Sequence, residues 1–521
     1  MSFFKLTRNS TINWKRFFVR LFRFNLSLCV GLITLVALAW AIENWRGARA
    51  LERELASLKA KGEPVDLNDF QHPQIPDEQN LAMIPLFRDY VPYKLKDGPQ
   101  YWKLKISEDQ ILLPEFMTIG HSSFFRTELV THEHTVSYFE KLIEEAHASG
   151  VILPFDTIQP GVSDVDWLLG VLDYYRPIRE AIEKELTTRP YFALPKKQKE
   201  PQETKFHTYA KFKAINLHFA SLAALSLEKG DVDAAFYWVV KANDLSLSLE
   251  KDPFALGRLV RLACHGVALN PVWQGLLQHR WKEKHLDYFQ SYYGKLDCLK
   301  PLVEVEQSER AGKLDWCLKG QRKSPSENIE SNFYTSEQVK KVRWIPSGWH
   351  KMLGVQYSRI IQIQIDGLRQ SHPFDPAVYV QAFKQCEGWM ASSMAIRMLG
   401  ANPLITTHGS WRLQQRWVTQ THFSMVPIVC SLERYRLTNQ QYPETLQELE
   451  PTYIETLPKD PILGGDFKYH LTDDGDFRLY SIGWNAKDDG GIPYQTVTEN
   501  RITRYQYDQN DWVWPWPGML R

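Results

Sequence analysis

Residues 24–42, FNLSLCVGLITLVALAWAI, contain no charged side chain, and no other feature of the chain restricts its fold as strongly. As an α-helix this run is about 28 Å long, close to the roughly 30 Å hydrocarbon core of a bilayer. Trp40 and Trp45 stand at its far end, where aromatic side chains anchor a helix at the membrane interface. The pattern predicts an uncleaved transmembrane helix at 24–42, rather than a cleaved signal peptide or a buried core helix.

The cations before this run predict its orientation. No acidic residue precedes it, and its basic residues are Lys5, Arg8, Lys15, Arg16, Arg20 and Arg23. The positive-inside rule therefore predicts a cytoplasmic basic arm at 1–23 and places the chain after about Glu43 on the other side of the membrane.

Without the six cations of this arm, the chain has 56 of its 62 basic residues, against 61 acidic ones. No basic surface for nucleic acid is expected.

The length of 521 residues indicates more than one folded unit. Residues 43–64 are rich in Ala, Leu, Glu, Lys and Arg, which predicts a helical stalk that continues from the anchor. Residues 65–120 mix many prolines and aromatic residues and are interpreted as an irregular docking segment with short elements. From 121 to 410 the apolar residues recur at the helical period, which predicts an α-helical domain.

The clearest helix pair within that domain is AINLHFASLAALSLEKGDVDAAFYWVVKANDLSLSLEKDP. An Ala- and Leu-rich helix stops at Gly230, Asp231 caps a second helix, and Pro253 follows its end. These signals predict an antiparallel helical hairpin. The pair resembles a tetratricopeptide-type hairpin, but no second copy follows at a 34-residue period. Packed helical hairpins, not a regular solenoid, are expected.

The pattern changes after residue 410. A helix through FSMVPIVCSLERYRLTNQQ is followed by FKYHL and FRLYS, two alternating strands on either side of TDDGD, whose Asp-Gly pair suits a tight turn. This order predicts a small α+β module at 411–495. A Trp-rich tail at 496–521 completes the chain. The predicted fold class is mainly α, with one N-terminal transmembrane helix and this small module at the C-terminus.

Several landmarks of the module occur in a familiar order: LERYRLTNQQYPETLQELE, LPKDP, FKYHL and FRLYSIGWNAKDDGG. Over residues 420–492 the chain resembles the globular part of the major pseudopilin of type II secretion systems. In that family a Leu-Tyr-Ser-x-Gly loop after the hairpin holds calcium. The chain lacks a Gly followed by a Glu near residue 24, so processing and polymerisation as a pilin are not expected. We expect a membrane-anchored helical protein that carries a pseudopilin-like module.

The resemblance implies a calcium loop with Asn485, Asp488 and Asp489 as ligands. Calcium takes six to eight oxygen ligands, and glycines at 483, 490 and 491 would let the backbone curl around it. The family has further carboxylates that this chain lacks, so a weak or relict site is predicted. Asn, Asp and Gly also favour solvated turns, and a metal-free loop is the alternative. A phosphate loop is not indicated, because no Lys-Ser or Lys-Thr follows the glycines.

Two further features leave alternatives open. Trp512, Trp514 and Trp516 alternate in the tail, and they either form an exposed row that interacts with a partner or a sugar, or clamp the C-terminus onto the helical domain. Cys298 and Cys317 either form a disulfide or are buried free thiols. No C-x-x-C pair is present, so a zinc knuckle is not indicated.

The sequence contains no G-x-S-x-G and no H-E-x-x-H, and therefore matches neither of these catalytic templates. We predict a non-enzymatic structural or interaction protein of a bacterial cell envelope, anchored in the inner membrane, with the bulk of the chain in the periplasm. Its expected partners are the lipid bilayer, through 24–42, and an unidentified envelope protein. The alternative is an envelope enzyme that acts on glycans in a cleft of the helical domain, with carboxylates such as Glu304 and Glu306.

Overall fold

The computed structural model describes most of the chain. Within residues 1–13 and 115–162 it describes none, so most of the predicted basic arm and the first part of the predicted helical domain lie outside the described residues. The described residues are 14–66, 69–70, 75–88, 90–94, 100–106, 109–114, 163–194, 202–252, 254–319, 346–369, 373–392, 404–492, 495–498, 501–505 and 510–514.

The described part of the chain is mainly helical, as predicted, with small antiparallel sheets. The helices are α1 (Trp14–Ala60), α2 (Pro85–Arg88), α3 (Asp164–Asp173), α4 (Arg176–Leu186), α5 (Gln202–Glu228), α6 (Val232–Ser248), α7 (Ala255–Leu277), α8 (Glu283–Gly294), α9 (Lys300–Lys319), α10 (Ser347–Arg369), α11 (Pro376–Ser392) and α12 (Leu404–Asn439). The strands are β1 (Tyr90–Lys94), β2 (Gln100–Ile106), β3 (Asp109–Pro114), β4 (Lys468–Leu471), β5 (Phe477–Ser481), β6 (Gln495–Thr498), β7 (Arg501–Tyr505) and β8 (Trp512–Trp514).

Helix α1 is continuous from the predicted anchor through the predicted stalk. Its large apolar side chains from Phe18 to Ile42 are exposed, and its most apolar stretch has no buried part. An exposed apolar surface of this size is unfavourable in water. Among the described residues, this is the one helix that is long and apolar enough to cross a membrane.

The chain forms two compact units, each assembled from separated stretches. The first unit comprises Met1–Val65, Lys313–Arg359 and Trp389–Asn402. The second unit comprises Asp66–Gly312, Ile360–Gly388 and Pro403–Arg521. The predicted helical domain is thus divided between the two units, because Lys313–Arg359 and Trp389–Asn402 belong to the first, whereas the C-terminal module lies in the second. A change in the sequence pattern predicted a domain boundary at 410, whereas helix α12 continues through that position.

In the first unit, the stalk part of α1 is one wall of a small apolar core. Leu51 and Leu58 are buried against Leu314 of α9 and Val355 of α10. Leu51 and Leu58 are seven positions apart, which places them on the same face of the helix. The stalk is therefore packed along this face and is not a free rod.

Helices α1 and α10 are in close backbone contact at two glycines, Gly47 and Gly348. A Cβ atom on Gly47 would lie 2.1 Å from the carbonyl oxygen of Gly348, so only glycine fits. The Gly348 N–H donates to Asn44 Oδ1 at 2.9 Å, and Trp349 Nε1 donates to Glu43 Oε2 at 2.9 Å. Small residues at a helix contact let the backbones come together, and polar side chains beside them fix the register.

In the second unit, α5 and α6 form the predicted antiparallel hairpin. Gly230 ends the first helix with a φ of +79°, and the Asp231 side chain caps the second by accepting from Ala234 N at 3.0 Å. Across the hairpin, buried Asn216 donates from Nδ2 to the carbonyl of Ala242 at 2.7 Å. Helix α7 packs on both members of the pair, and α12 packs on α8. The helix pair is confirmed, and its resemblance to a tetratricopeptide-type hairpin stays a prediction.

Residues 65–120 contain more regular structure than the irregular docking segment that the sequence predicts. Strands β1, β2 and β3 form an antiparallel sheet in that order along the chain. In β2, Trp102, Leu104 and Ile106 alternate with lysines, a period-2 signal typical of a strand. The predicted tail at 496–521 likewise contains strands, because β7 pairs with β6 and β8 joins the sheet of β4 and β5.

Cys298 is a buried free thiol, so the predicted alternative of a disulfide with Cys317 is wrong. Cys298 lies just before α9, and its N–H donates to Gln420 Oε1 at 2.9 Å. Cys317 lies near the other end of that helix, about 25 Å along its axis at 1.5 Å per residue. The two Cα atoms of a disulfide are usually less than about 7 Å apart.

Candidate functional site

The predicted site lies in the C-terminal module, which consists of the end of α12, a 3-10 turn at Leu446–Leu449, and the sheet β4–β5–β8. The hairpin of β4 and β5 is confirmed. Its tight turn is closed by a hydrogen bond from Gly475 N to Thr472 O at 2.9 Å, and Gly475 has a φ of +82°. The Asp-Gly pair of the sequence is thus at the turn, as its chemistry predicts.

Asp460, in the LPKDP stretch, joins this stretch to the loop after β5. Its Oδ1 accepts from Ser481 Oγ at 2.8 Å and from Ile462 N at 2.9 Å, and its Oδ2 accepts from Ile482 N at 3.3 Å. Ser481 Oγ in turn accepts from Gly483 N at 3.2 Å. One buried carboxylate therefore links two of the landmarks on which the pseudopilin resemblance depends.

We expect the stability of the protein to depend on pH through Asp460. Burial raises the pKa of its carboxyl to about 6, although three hydrogen bonds oppose the shift. The fold therefore favours the protonated form, and the free energy of unfolding falls by about 3 kcal/mol as pH rises from about 4 to about 6. Chemical denaturation at closely spaced pH values measures this slope.

Asp460→Asn should lose that part of the slope, because the amide does not titrate. Asp466→Asn, an exposed position in the same segment, is the matched control and should keep it. An unchanged pH slope in Asp460→Asn would show that another group causes the dependence.

The three predicted calcium ligands lie in one loop after β5. Asp488 Oδ1 accepts from Tyr480 Oη at 3.0 Å and from Gly490 N at 3.1 Å. Asp489 Oδ2 accepts from Asn485 Nδ2 at 2.7 Å. The described residues contain no group of three His, Cys, Asp or Glu side chains already arranged around a metal position. Calcium binding therefore stays a prediction.

The loop backbone has the curvature that its glycines predict. Gly483, Gly490 and Gly491 all adopt positive φ, at 64°, 77° and 72°. At Gly483 a Cβ atom would also lie 2.5 Å from the carbonyl oxygen of Asn510, so a side chain is excluded by space as well as by conformation.

Asp511 completes this loop and was not among the predicted site residues. Its Oδ2 accepts from Gly491 N at 2.7 Å and from Asp489 N at 3.0 Å, and its buried Oδ1 has no hydrogen-bond partner among the described residues. Burial, together with the charges of Asp489 and Asp488, raises the pKa of Asp511 to about 6, although the two backbone hydrogen bonds oppose the shift. Three carboxylates are thus within electrostatic range of one another. In the sequence, Asp511 could have been found as an acid directly before the apolar triplet WVW, which forms a strand.

Trp512 and Trp514 belong to β8, which pairs with β5. They are only 1% and 3% exposed, and Trp514 packs edge-to-face on Trp273 of α7 with ring centroids 5.0 Å apart. Trp514 therefore holds β8 against α7, and the prediction that Trp512 and Trp514 form an exposed interaction row is not met. Trp516 lies outside the described residues.

The carboxylates suggested for a glycan-acting enzyme have structural partners. Glu306 is fully buried and forms an ion pair with Arg416, and Glu304 Oε2 lies 2.7 Å from Arg258 Nη2. Each of these carboxylates thus faces a guanidinium group.

With the fold and the loop geometry described, comparison with known proteins adds no relative: no protein-family model, no curated protein and no solved structure matches this chain. The pseudopilin resemblance therefore stays a prediction from the landmarks in the sequence.

Proposed function

We propose that the protein is a single-pass membrane protein of a bacterial cell envelope that acts as a structural or interaction component outside the cytoplasm. Helix α1 supports the proposal most directly, because its apolar side chains are exposed over a length that matches a bilayer. The six cations before residue 24 support a cytoplasmic N-terminus. We therefore propose the inner membrane as the location, with the chain after about Glu43 in the periplasm.

We also propose that the C-terminal module is a pseudopilin-like scaffold and that the protein is linked to a secretion-type assembly. Three features support the proposal: the β4–β5 hairpin, the hydrogen bond from Ser481 to Asp460, and the loop after β5, whose Gly491 N–H donates to Asp511. An unidentified envelope protein is the expected partner. The enzyme alternative stays a prediction of the sequence, without a specific contact that favours it.

The anchor and its orientation can be tested by fractionation and by accessibility. The full chain should remain with the membrane after extraction at high salt or alkaline pH, whereas a chain without residues 1–42 should be released. A cysteine placed at exposed Asp473 should add to the labelling of the six native cysteines when intact spheroplasts are treated with a membrane-impermeant thiol reagent. Release of the full chain at high salt, or protection of that cysteine, would contradict the proposal.

The calcium loop can be tested by thermal unfolding of the detergent-solubilised protein. If Asn485, Asp488 and Asp489 bind calcium, millimolar calcium should raise the Tm, and Asp488→Ala and Asp489→Ala should abolish the rise. The chemistry fits, because these residues and the unpartnered Asp511 Oδ1 are oxygen donors of the type calcium prefers.

Asp473→Ala in the neighbouring hairpin turn is the matched control and should keep the calcium effect. Equal Tm values with calcium and with a chelator in the unmodified protein would support the metal-free turn instead.

A further inference from the structure

A cavity of about 780 Å³ lies in the second unit, between helices α7 and α8 and the first turn of α9. This volume falls in the range of small-molecule sites, roughly 300–1,000 Å³. Its walls are rich in cations and tyrosines. The lining residues that matter are Arg258, Arg261, Tyr288, Tyr292, Lys295 and Lys300.

Helical spacing explains why these side chains meet. Arg258 and Arg261 are three positions apart and share one face of α7. Tyr288, Tyr292 and Lys295 follow at spacings of four and three, so that they occupy one face of α8 and its end. The rings of Tyr288 and Tyr292 are stacked, with centroids 5.8 Å apart. Both tyrosines line the cavity, and their rings form its aromatic part, the tyrosine wall.

The two arginines differ in their partners. Arg258 forms an ion pair with Glu304, whose Oε2 lies 2.7 Å from Nη2. Arg261 has no ion pair with any described acidic residue, and its buried Nε has no hydrogen-bond partner among the described residues. A half-buried cation without a counter-ion is costly to a fold.

The groups around Arg261 do not supply the missing charge. Burial lowers the pKa of His265 well below its usual value, and the charge of Arg261 lowers it further, so the imidazole is neutral at pH 7. Its Nδ1 lies 3.2 Å from Tyr292 Oη. Burial raises the pKa of Tyr292 well above its usual value and that of the Cys298 thiol likewise, so both are also neutral. None of these three groups near Arg261 carries a charge that could pair with it.

The lining contains three acids, Glu250, Asp297 and Glu304, of which Glu304 is paired with Arg258. Asp297 and Glu250 are exposed, and Asp297 Oδ1 accepts from Leu299 N at 2.9 Å and from Lys300 N at 3.0 Å, where it caps the start of α9. Exposed carboxylates compensate a half-buried cation poorly, because water screens them. The positive charge of Arg261 therefore remains without a close counter-ion among the described residues.

We propose that this cavity binds a small organic anion, whose carboxylate or phosphate group pairs with Arg261 and whose body lies against the tyrosine wall. A guanidinium group binds either oxyanion through two parallel hydrogen bonds, and aromatic faces favour a flat apolar body. Lys295 and Lys300 at the entrance attract the anion and add charge at its outer end. The proposal does not depend on the membrane anchor or on the calcium loop.

The test uses the full chain in detergent and three small probes: phenyl phosphate, benzoate, and the uncharged benzyl alcohol. Isothermal titration calorimetry and thermal unfolding measure binding to the unmodified protein, to Arg261→Gln, and to the control Arg280→Gln. Arg280 is an exposed arginine that does not line the cavity. Arg261→Lys, which keeps the charge but not the planar fork, covers the case in which Arg261→Gln does not fold.

We expect at least one anionic probe to bind and benzyl alcohol not to bind. Arg261→Gln should raise the Kd of the anion by about tenfold or more, as for loss of a charged hydrogen bond. Arg261→Lys should bind more weakly than the unmodified protein, and Arg280→Gln should match it. The anion that binds more tightly identifies the oxyanion. Binding of neither anion, or equal affinities in all variants, would overturn the proposal.

Discussion

Arg416→Met should lower the free energy of unfolding by about 3–5 kcal/mol, the cost typical of removing one partner of a buried ion pair. Arg416 of α12 is 2% exposed, and its partner Glu306 of α9 is fully buried. The substitution leaves the Glu306 carboxylate without its cation, and Glu306 Oε2 already has no hydrogen-bond partner among the described residues. Urea unfolding in detergent, followed by circular dichroism, measures the loss.

The double variant Glu306→Leu/Arg416→Met is the decisive control. It removes both charges, so it should be more stable than Arg416→Met alone, although it carries one more substitution. Lys459→Met removes half of an exposed pair with Asp466 and should cost less than about 1 kcal/mol. A double variant that loses the sum of the two single effects would show that the pair is not coupled.

Trp514→Ala should cost about 3–5 kcal/mol, as expected for a large aromatic side chain deleted from a core. Trp514 is 3% exposed and packs on Trp273 at an interplanar angle of 86°. The substitution leaves a cavity at the contact of β8 with α7, while the backbone pairing of β8 with β5 can persist. Thermal unfolding measures the change in Tm.

Leu471→Ala in β4 of the same sheet is the matched control. Its side chain is 40% exposed, so its truncation should cost less than about 1 kcal/mol. If Trp514→Ala were as mild as this control, the tail would not clamp the module.

Local signals predicted those elements whose cause lies within a few residues. The 19-residue uncharged run predicted the exposed helix α1, Gly230 and Asp231 predicted the α5–α6 hairpin, and an Asp-Gly pair predicted the β4–β5 turn. The sequence did not predict the two discontinuous units, because contacts such as that between Leu51 and Val355 depend on the complete fold.

The residues of the candidate site were likewise predicted only where they are neighbours in the chain. Asn485, Asp488 and Asp489 are neighbours in the chain, and the structure places them in one loop. Asp511 was not predicted, because it is 20 positions from its partner Gly491 in the chain. It directly precedes β8, a strand within the segment predicted to be a tail. Arg261 was missed because its significance depends on which side chains surround it, and no spacing rule reports the absence of a counter-ion.

The contact between Asn44 and Gly348 has a consequence for biosynthesis, because the two residues are 304 positions apart. At a synthesis rate of about 5–20 residues per second, the stalk emerges roughly 15–60 s before its partner helix exists. During this interval Leu51 and Leu58 have no core to enter. A nascent stalk with exposed leucines is a substrate for chaperones, so the first unit should mature late, after most of the chain has left the ribosome.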